Sequence, residues 1–95
     1  MHTVIAVRQF ELEGNTIWAW ICAPNQADNS EFRCQWFVEW PERRISRYAC
    51  GQDGVQALLG AFRMLHGELL SSEAYAKGQL TFMGDTDLGL PSLSL

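Results

Sequence analysis

The 95-residue sequence lacks the continuous apolar run of about 18 residues that a membrane-spanning helix requires. It also lacks an N-terminal basic segment followed by a small-residue cleavage site, which is the pattern of a secretory signal peptide. We therefore expect a cytoplasmic protein that does not associate with a membrane.

Cysteine is scarce and odd in number, with Cys22, Cys34 and Cys50 as the only examples. All three lie inside strand-like runs rather than in turns, which indicates buried free thiols in a reducing compartment. A single disulfide between Cys22 and Cys34, across neighbouring strands, is the alternative.

No motif in the sequence requires a particular catalytic or metal chemistry. The available soft metal ligands are His2, His66 and the cysteines, and no two of them lie at Cys-x-x-Cys or His-x-x-x-His spacing. His66 falls near the apolar side of a predicted helix, where a histidine usually finds one hydrogen-bond partner. Gly51 and Gly54 precede that helix without the Lys-Ser/Thr pair of a phosphate-binding loop. We therefore expect no enzymatic activity, no cofactor and no bound metal.

Basic residues are in the minority, and the net charge is −4. Residues 1–32 carry one arginine and four carboxylates, and residues 68–95 carry one lysine and four carboxylates. The middle, residues 33–67, carries five arginines and three carboxylates. We do not expect nucleic acid as a partner of such a chain, because neutralisation of phosphate supplies most non-specific affinity. A basic protein is the more natural complement.

Two acidic turns stand out as candidate contact sites. Residues 24–31 form the one polar loop of any length, and this loop contains Asp28 and Glu31. Asp85 and Asp87 are spaced like the first two ligands of a calcium-binding loop, but the following positions lack the further oxygen ligands and the terminal Glu of such a loop. We interpret the second turn as a solvated acidic turn, with contact to a partner as the alternative.

Four segments carry the alternation and β-branched composition of strands, and short turn clusters separate most of them. They are residues 3–12, 16–23, 32–40 and 43–50. Short connections force antiparallel neighbours, so these strands form a meander. The length and the 47% hydrophobic content predict a single domain spanning residues 1–95.

Residues 51–70 contain the one long helical pattern. Asp53 is a preferred N-cap, and Gln56 stands three positions later, as in a capping box. Spacing of about 100° per residue puts the larger apolar residues on one face: Val55, Leu58, Leu59, Phe62, Leu65, Leu69 and Leu70. Gly60 and Gly67 fall on the opposite flank, where either the close approach of another backbone or an imperfect helix accounts for them.

The predicted fold class is α+β. A four-stranded antiparallel β-meander carries one long C-terminal helix packed on one face. Residues 72–78 are candidates for a short extra helix with Ser72 as N-cap, and residues 79–83 for an edge strand after it.

The second predicted strand is apolar on both faces, with Trp18, Trp20 and Cys22 opposing Ile17, Ala19 and Ile21. Such a strand is either central and covered twice, or presents its second face to a partner, including a second copy that would make a homodimer.

Arginines and aromatic residues occur together in the middle of the sequence. The arginines are Arg43, Arg44 and Arg47, and the neighbouring aromatic residues are Trp36, Trp40 and Tyr48. One interpretation is a surface that stacks single-stranded nucleic acid. We favour a sheet in which the aromatic residues are core and the arginines bridge Glu39 and Glu42, because the acidic remainder would repel phosphate.

Two segments resemble a family of small, functionally uncharacterised bacterial proteins. These are Gly51 to Leu59, with its Gly-x-Asp-x-x-Gln-Ala-Leu helix start, and Gly84 to Pro91, with its acidic Leu-Gly-Leu-Pro ending. The resemblance covers residues 44–91 and carries over no catalytic residue. In general character, the chain is also similar to the immunity proteins with which bacteria neutralise secreted toxins.

These observations lead us to expect a protein-binding inhibitor, an immunity protein that occludes a basic toxin such as a nuclease. Acidic residues would steer the partner, and exposed tryptophans would anchor it. The candidate contact residues are Asp28, Glu31, Asp85 and Asp87 for steering, and Trp18, Trp36 and Trp40 for anchoring.

Two other functions are alternatives. One is a phage-encoded or regulatory inhibitor that mimics nucleic-acid charge on a host complex. The other is a small-molecule or RNA-binding module that uses the side of the sheet not covered by the helix, with Phe37, Ile17 and Ile21 lining a pocket.

Overall fold

The computed structural model describes residues 3–90 and contains six β-strands and two helices in that range. The strands are β1 (Val4–Leu12), β2 (Asn15–Cys22), β3 (Asn25–Gln26), β4 (Phe32–Glu39), β5 (Arg44–Gly51) and β6 (Leu80–Thr81). The helices are α1 (Gly54–Leu70) and α2 (Glu73–Ala76). The predicted α+β class, antiparallel sheet and long helix are confirmed. The predicted number of four strands is wrong, because the sheet has six.

The sheet is antiparallel throughout and runs in the order β5-β4-β2-β1-β6. β3 pairs with the start of β4, on the side of β4 that also pairs with β2. β5 and the β1/β6 side therefore form the two edges. A two-residue turn, Glu13-Gly14, joins β1 to β2 with positive φ at both positions, as tight hairpins require.

The two strands that were not counted are both short. β3 follows Pro24, which has no N–H to donate to a ladder, and it contains only Asn25 and Gln26, neither of which favours strands. β6 is the edge strand that the sequence suggested after the helix. It pairs Thr81 with Glu11 and Leu80 with Leu12 at the end of β1, and the Leu80 side chain is fully buried.

The start of α1 has the predicted cap. Asp53 Oδ1 accepts a hydrogen bond from the Gln56 backbone N at 2.8 Å. The Gln56 side chain reaches back one residue further than a capping box requires, because its Oε1 accepts from the Gln52 backbone N at 2.6 Å. Two backbone donors at the helix start are therefore satisfied locally.

The buried stripe of α1 differs from the predicted one. It consists of Ala57, Ala61, Leu65 and Leu69. Three predicted members are exposed instead: Val55, Leu59 and Leu70. The prediction chose the largest apolar residues, whereas small residues let the helix lie close to β5.

The two helix glycines differ in their surroundings. A Cβ added at Gly60 would lie 3.1 Å from the Ala49 Cβ of β5, so the close approach explains this glycine. A Cβ added at Gly67 would meet nothing within 4 Å, so packing does not explain the second one.

The hydrophobic core lies between α1 and one face of the sheet. The largest fully buried side chains are Phe10, Ile17, Leu69, Leu80, Val38, Cys22 and Cys34. Within residues 3–90, no charged side chain is buried, and neither helix is long and apolar enough to cross a membrane.

Candidate functional site

The sheet has one face under α1, which we call the covered face, and one that points away from it, which we call the open face. Alternation along each strand assigns every residue to one of the two, and the register aligns them across strands. The open face includes Val7 and Gln9 of β1, Trp18 and Trp20 of β2, Arg33, Gln35, Phe37 and Glu39 of β4, and Arg44, Ser46, Tyr48 and Cys50 of β5.

Aromatic rings and a guanidinium group form the centre of the open face. Trp20 lies directly opposite Phe37, and their rings meet edge to face with centroids 6.3 Å apart. The Arg44 guanidinium lies over both rings, 4.5 Å from the Phe37 centroid and 5.1 Å from that of Trp20. Arg44 Nε is also 3.3 Å from Glu39 Oε1. The cation is thereby held between two rings and a carboxylate.

A second arginine is held in the same way towards β5. The Arg33 guanidinium lies 4.9 Å from the Tyr48 ring centroid, and Arg33 Nε donates to Glu31 Oε1 at 3.0 Å. This hydrogen bond holds the pKa of the Glu31 carboxyl below its ordinary value. Next to the pair, Gln35 Nε2 donates to Ser46 Oγ at 2.7 Å. The open face therefore combines apolar rings with cations whose charges are balanced locally.

The three predicted tryptophan anchors do not share this face. Trp18 lies on it and is 40% exposed. Trp36 and Trp40 lie in the core beneath α1 and are only 2% and 9% exposed, so neither is accessible to a partner. Trp40 Nε1 donates to Glu68 Oε2 of α1 at 3.0 Å. The three residues predicted to line a small-molecule or RNA-binding pocket do not share a face either. Ile17 and Ile21 are buried, whereas Phe37 lies on the open face.

Trp20 is the central aromatic residue that sequence reasoning did not select. Trp18 and Trp20 are two positions apart in one strand, so they share a face. Selecting Trp18 therefore implied Trp20, and that signal was available in the sequence.

The four predicted acidic residues do not form one patch. Asp28 is exposed in the turn between β3 and β4, and Glu31 is paired with Arg33. Asp85 and Asp87 follow β6, which pairs with the far end of β1, so the two acidic turns lie at opposite ends of the sheet. Asp85 Oδ1 accepts from the Asp87 backbone N at 2.9 Å, and Asp87 Oδ1 accepts from the Gly89 N at the same distance. These two carboxylates therefore also shape their own turn.

The cysteines provide no activated thiol. All three are free, so the alternative of a Cys22–Cys34 disulfide is wrong, and Cys50 is exposed rather than buried as predicted. Cys50 and Glu31 help to line a cleft of about 500 Å³ beside the start of α1. Desolvation and a hydrogen bond with Glu31 raise the pKa of the Cys50 thiol, whereas a nucleophilic thiol needs a lowered pKa.

No metal site is formed in the part of the chain that the structure describes, where no three His, Cys, Asp or Glu side chains come together in an arrangement that could hold an ion. His66 lies half-buried on α1, and His2 is outside the described residues.

Comparison with known proteins identifies a family but no characterised relative. A family model described as a domain of unknown function, DUF6968, matches residues 6–92. No curated protein and no solved structure gives a significant match. A small uncharacterised family, as the sequence resemblance implied, is therefore supported.

Proposed function

The chain belongs to the DUF6968 family, and we propose that it is a protein-binding protein whose partner docks on the open face of the sheet. The observation that carries this proposal is the arrangement of Trp18, Trp20, Phe37 and Tyr48 on a face that the helix leaves uncovered. Tryptophan, tyrosine and arginine are the residues most enriched in interface hot spots, and this face contains all three types.

The arginines support protein binding because they are already ordered. Arg44 and Arg33 are each fixed by a ring and a carboxylate before any partner arrives. Less side-chain freedom is then lost on association, which leaves more of the contact energy for affinity.

The specific form of the proposal is an inhibitor, a bacterial immunity protein that occludes a basic toxin such as a nuclease. The support is the net charge of −4 together with exposed carboxylates outside the balanced pairs, among them Asp28, Asp85 and Asp87. Although these carboxylates are dispersed, an overall negative field accelerates the approach of a cationic protein. The cognate toxin would then bind the open face.

The experiment is affinity capture with the products of neighbouring genes, followed by titration of the purified pair. Trp18→Ala and Tyr48→Ala are expected to raise Kd by about tenfold or more each, the range of interface hot spots. Leu59→Ala is the matched control, because Leu59 is as exposed as Trp18 but lies on α1.

A basic partner also predicts an association rate that falls steeply as salt is added. Failure of every neighbouring product to bind, or to be neutralised in a co-expression assay, would remove the inhibitor proposal. Equal losses from Leu59→Ala and Trp18→Ala would remove the open face as the docking surface.

A second candidate is single-stranded nucleic acid, because aromatic residues and arginines on an exposed sheet face are the elements of a stacking platform. Here the Arg44 guanidinium already occupies ring faces that bases would need, and the net charge repels phosphate. Fluorescence anisotropy with labelled single-stranded RNA and DNA at low salt tests this candidate. Competition between the protein and nucleic acid for one host complex would instead indicate the charge-mimicking inhibitor.

A further inference from the structure

The two edges of the sheet are built differently. β5 forms one edge and carries the exposed arginines Arg44 and Arg47. The other edge is formed by β1, and β6 pairs with its outer side only at Glu11 and Leu12. Within residues 3–90, no strand pairs with the outer side of β1 from Val4 to Phe10, so its backbone groups have no ladder partner there.

The first four residues of this unpaired stretch, Val4 to Val7, are apolar and uncharged. Val4, Ile5 and Val7 are each about half exposed. Natural proteins usually protect such an edge with lysine, proline, inward charges or a bulge. A bulge is present between Val4 and Ala6, but Val4 to Val7 contain no charge and no proline.

Arg8, the next residue along β1, carries a charge that is bound within the chain. Arg8 Nη1 donates to the carbonyl oxygens of Leu88 at 3.0 Å and of Gly89 at 2.9 Å. Its guanidinium also lies 4.1 Å from the centroid of the Phe82 ring. The edge therefore stays free of repulsion between like charges, even though the whole chain is acidic.

A small apolar crevice lies beside this edge, between β1 and α1. Its volume is about 190 Å³, and its lining includes Ala6, Val7, Phe62, Leu65 and Leu90. Side chains of a strand alternate between the two sides of a sheet. A strand added to β1 would therefore place alternate side chains against this crevice and against the open face.

We infer that a second copy of this chain pairs antiparallel with β1 along Val4 to Arg8. An extended backbone edge accepts another extended strand, and an antiparallel edge is complementary to itself about a two-fold axis. Because Val4 to Val7 contain no charged side chain, no repulsion between like charges opposes the pairing of these two identical segments. The two sheets would then continue into one, and the open faces of both copies would become neighbours through Val7. This inference does not depend on the proposed partner.

The experiment is sedimentation equilibrium of the full chain over a wide range of protein concentration. We expect a mass that rises from 10.8 kDa towards twice that value. Val7→Lys is expected to weaken the dimer at least about tenfold, because two cations then meet across the paired strands. Val55→Lys is the matched control, since Val55 is exposed on α1 and takes no part in the edge.

A charge-swapped mixture keeps the test independent of any loss of folding. Val7→Lys and Val7→Glu should each be monomeric alone and should associate when mixed. A full chain that stays monomeric at every concentration overturns the inference, as does a dimer that Val7→Lys and Val55→Lys weaken equally. A dimer seen only after removal of residues 91–95 overturns it too, because the full chain would not then associate.

Discussion

The covered and open faces of the sheet come from the same strands, and both contain tryptophan, but the surroundings of tryptophan differ between them. Trp36 and Trp40 are enclosed by α1, and Trp40 gives its indole N–H to Glu68. Trp20 lies beneath the guanidinium of Arg44, and Trp18 on the same face is 40% exposed. The difference shows that aromatic content does not distinguish core from surface; the neighbouring groups do.

The largest expected contrast is between Phe10 on the covered face and Trp18 on the open face. Phe10 is fully buried, with its ring 6.0 Å from that of Phe82. Phe10→Ala should lower the free energy of unfolding by about 3–5 kcal/mol, whereas Trp18→Ala should change it by less than about 1 kcal/mol. Urea denaturation of both variants measures this. Comparable losses would mean that the open face also contributes to the core.

The next contrast concerns how closely α1 lies on the covered face. Gly60→Leu places a side chain where the Ala49 Cβ already is, and should cost about 1–3 kcal/mol. Gly67→Ala fills open space and should stabilise by up to about 1 kcal/mol through helix propensity. Thermal unfolding of the two variants should therefore move in opposite directions. A stabilising Gly60→Leu would contradict the close approach.

A smaller effect is expected at the start of the helix that separates the two faces. Asp53→Ala removes the acceptor for the Gln56 N–H and should lower the free energy of unfolding by about 1 kcal/mol. Asp53→Asn, which keeps a capping oxygen, is the control and should lose less. An unchanged melting temperature for Asp53→Ala would show that the cap is dispensable.

Cys34 of the covered face and Cys50 of the open face should also differ in reactivity, with no effect on stability at neutral pH. Burial raises the pKa of Cys34 from 9.0 to about 11, while Cys50 is exposed on the open face. A thiol reagent should therefore modify Cys50 in the native protein and leave Cys34 and Cys22 unmodified until unfolding. Rapid loss of all three thiols in native buffer, measured by mass spectrometry, would contradict the burial of Cys22 and Cys34.

The same shift gives a pH dependence with a definite sign. The folded state holds the Cys34 proton more tightly than the unfolded state, so the stabilisation is complete below pH 9. It is lost as the pH rises from about 9 towards about 11. Cys34→Ala should make the decline of unfolding free energy over this range shallower, and Cys50→Ala should do so less.

Local patterns in the sequence were sufficient for the longer elements. Alternation and β-branched residues located the four long strands, and Asp53 marked the start of α1. β3 was missed because neither Asn25 nor Gln26 favours a strand by itself. They form one only because the fold places them next to β4. The buried residues of α1 were predicted wrongly because the prediction chose the largest apolar side chains. Ala57 and Ala61 are buried instead, because their small side chains let the helix lie close to the sheet.

The site was predicted less well for a related reason. Alternation divides Trp18 and Trp20 from Ile17 and Ile21, but it does not tell which set the helix covers. That choice depends on contacts between distant parts of the chain, such as Gly60 with Ala49 and Trp40 with Glu68. Trp36 and Trp40 were named as candidate anchors, although the favoured interpretation of their segment placed its aromatic residues in the core, where both are found. No local signal in the sequence records the contacts that bury them.

The hydrogen bonds of Arg8 also have a consequence for the order of folding. They join positions 80 and 81 residues apart, and Leu88, whose carbonyl accepts one of them, is buried in the core. Contacts of such long sequence separation carry a large loop-closure cost and form slowly. During synthesis on a ribosome, β1 emerges before Leu88 and Gly89, so these contacts must wait until those two residues have been added.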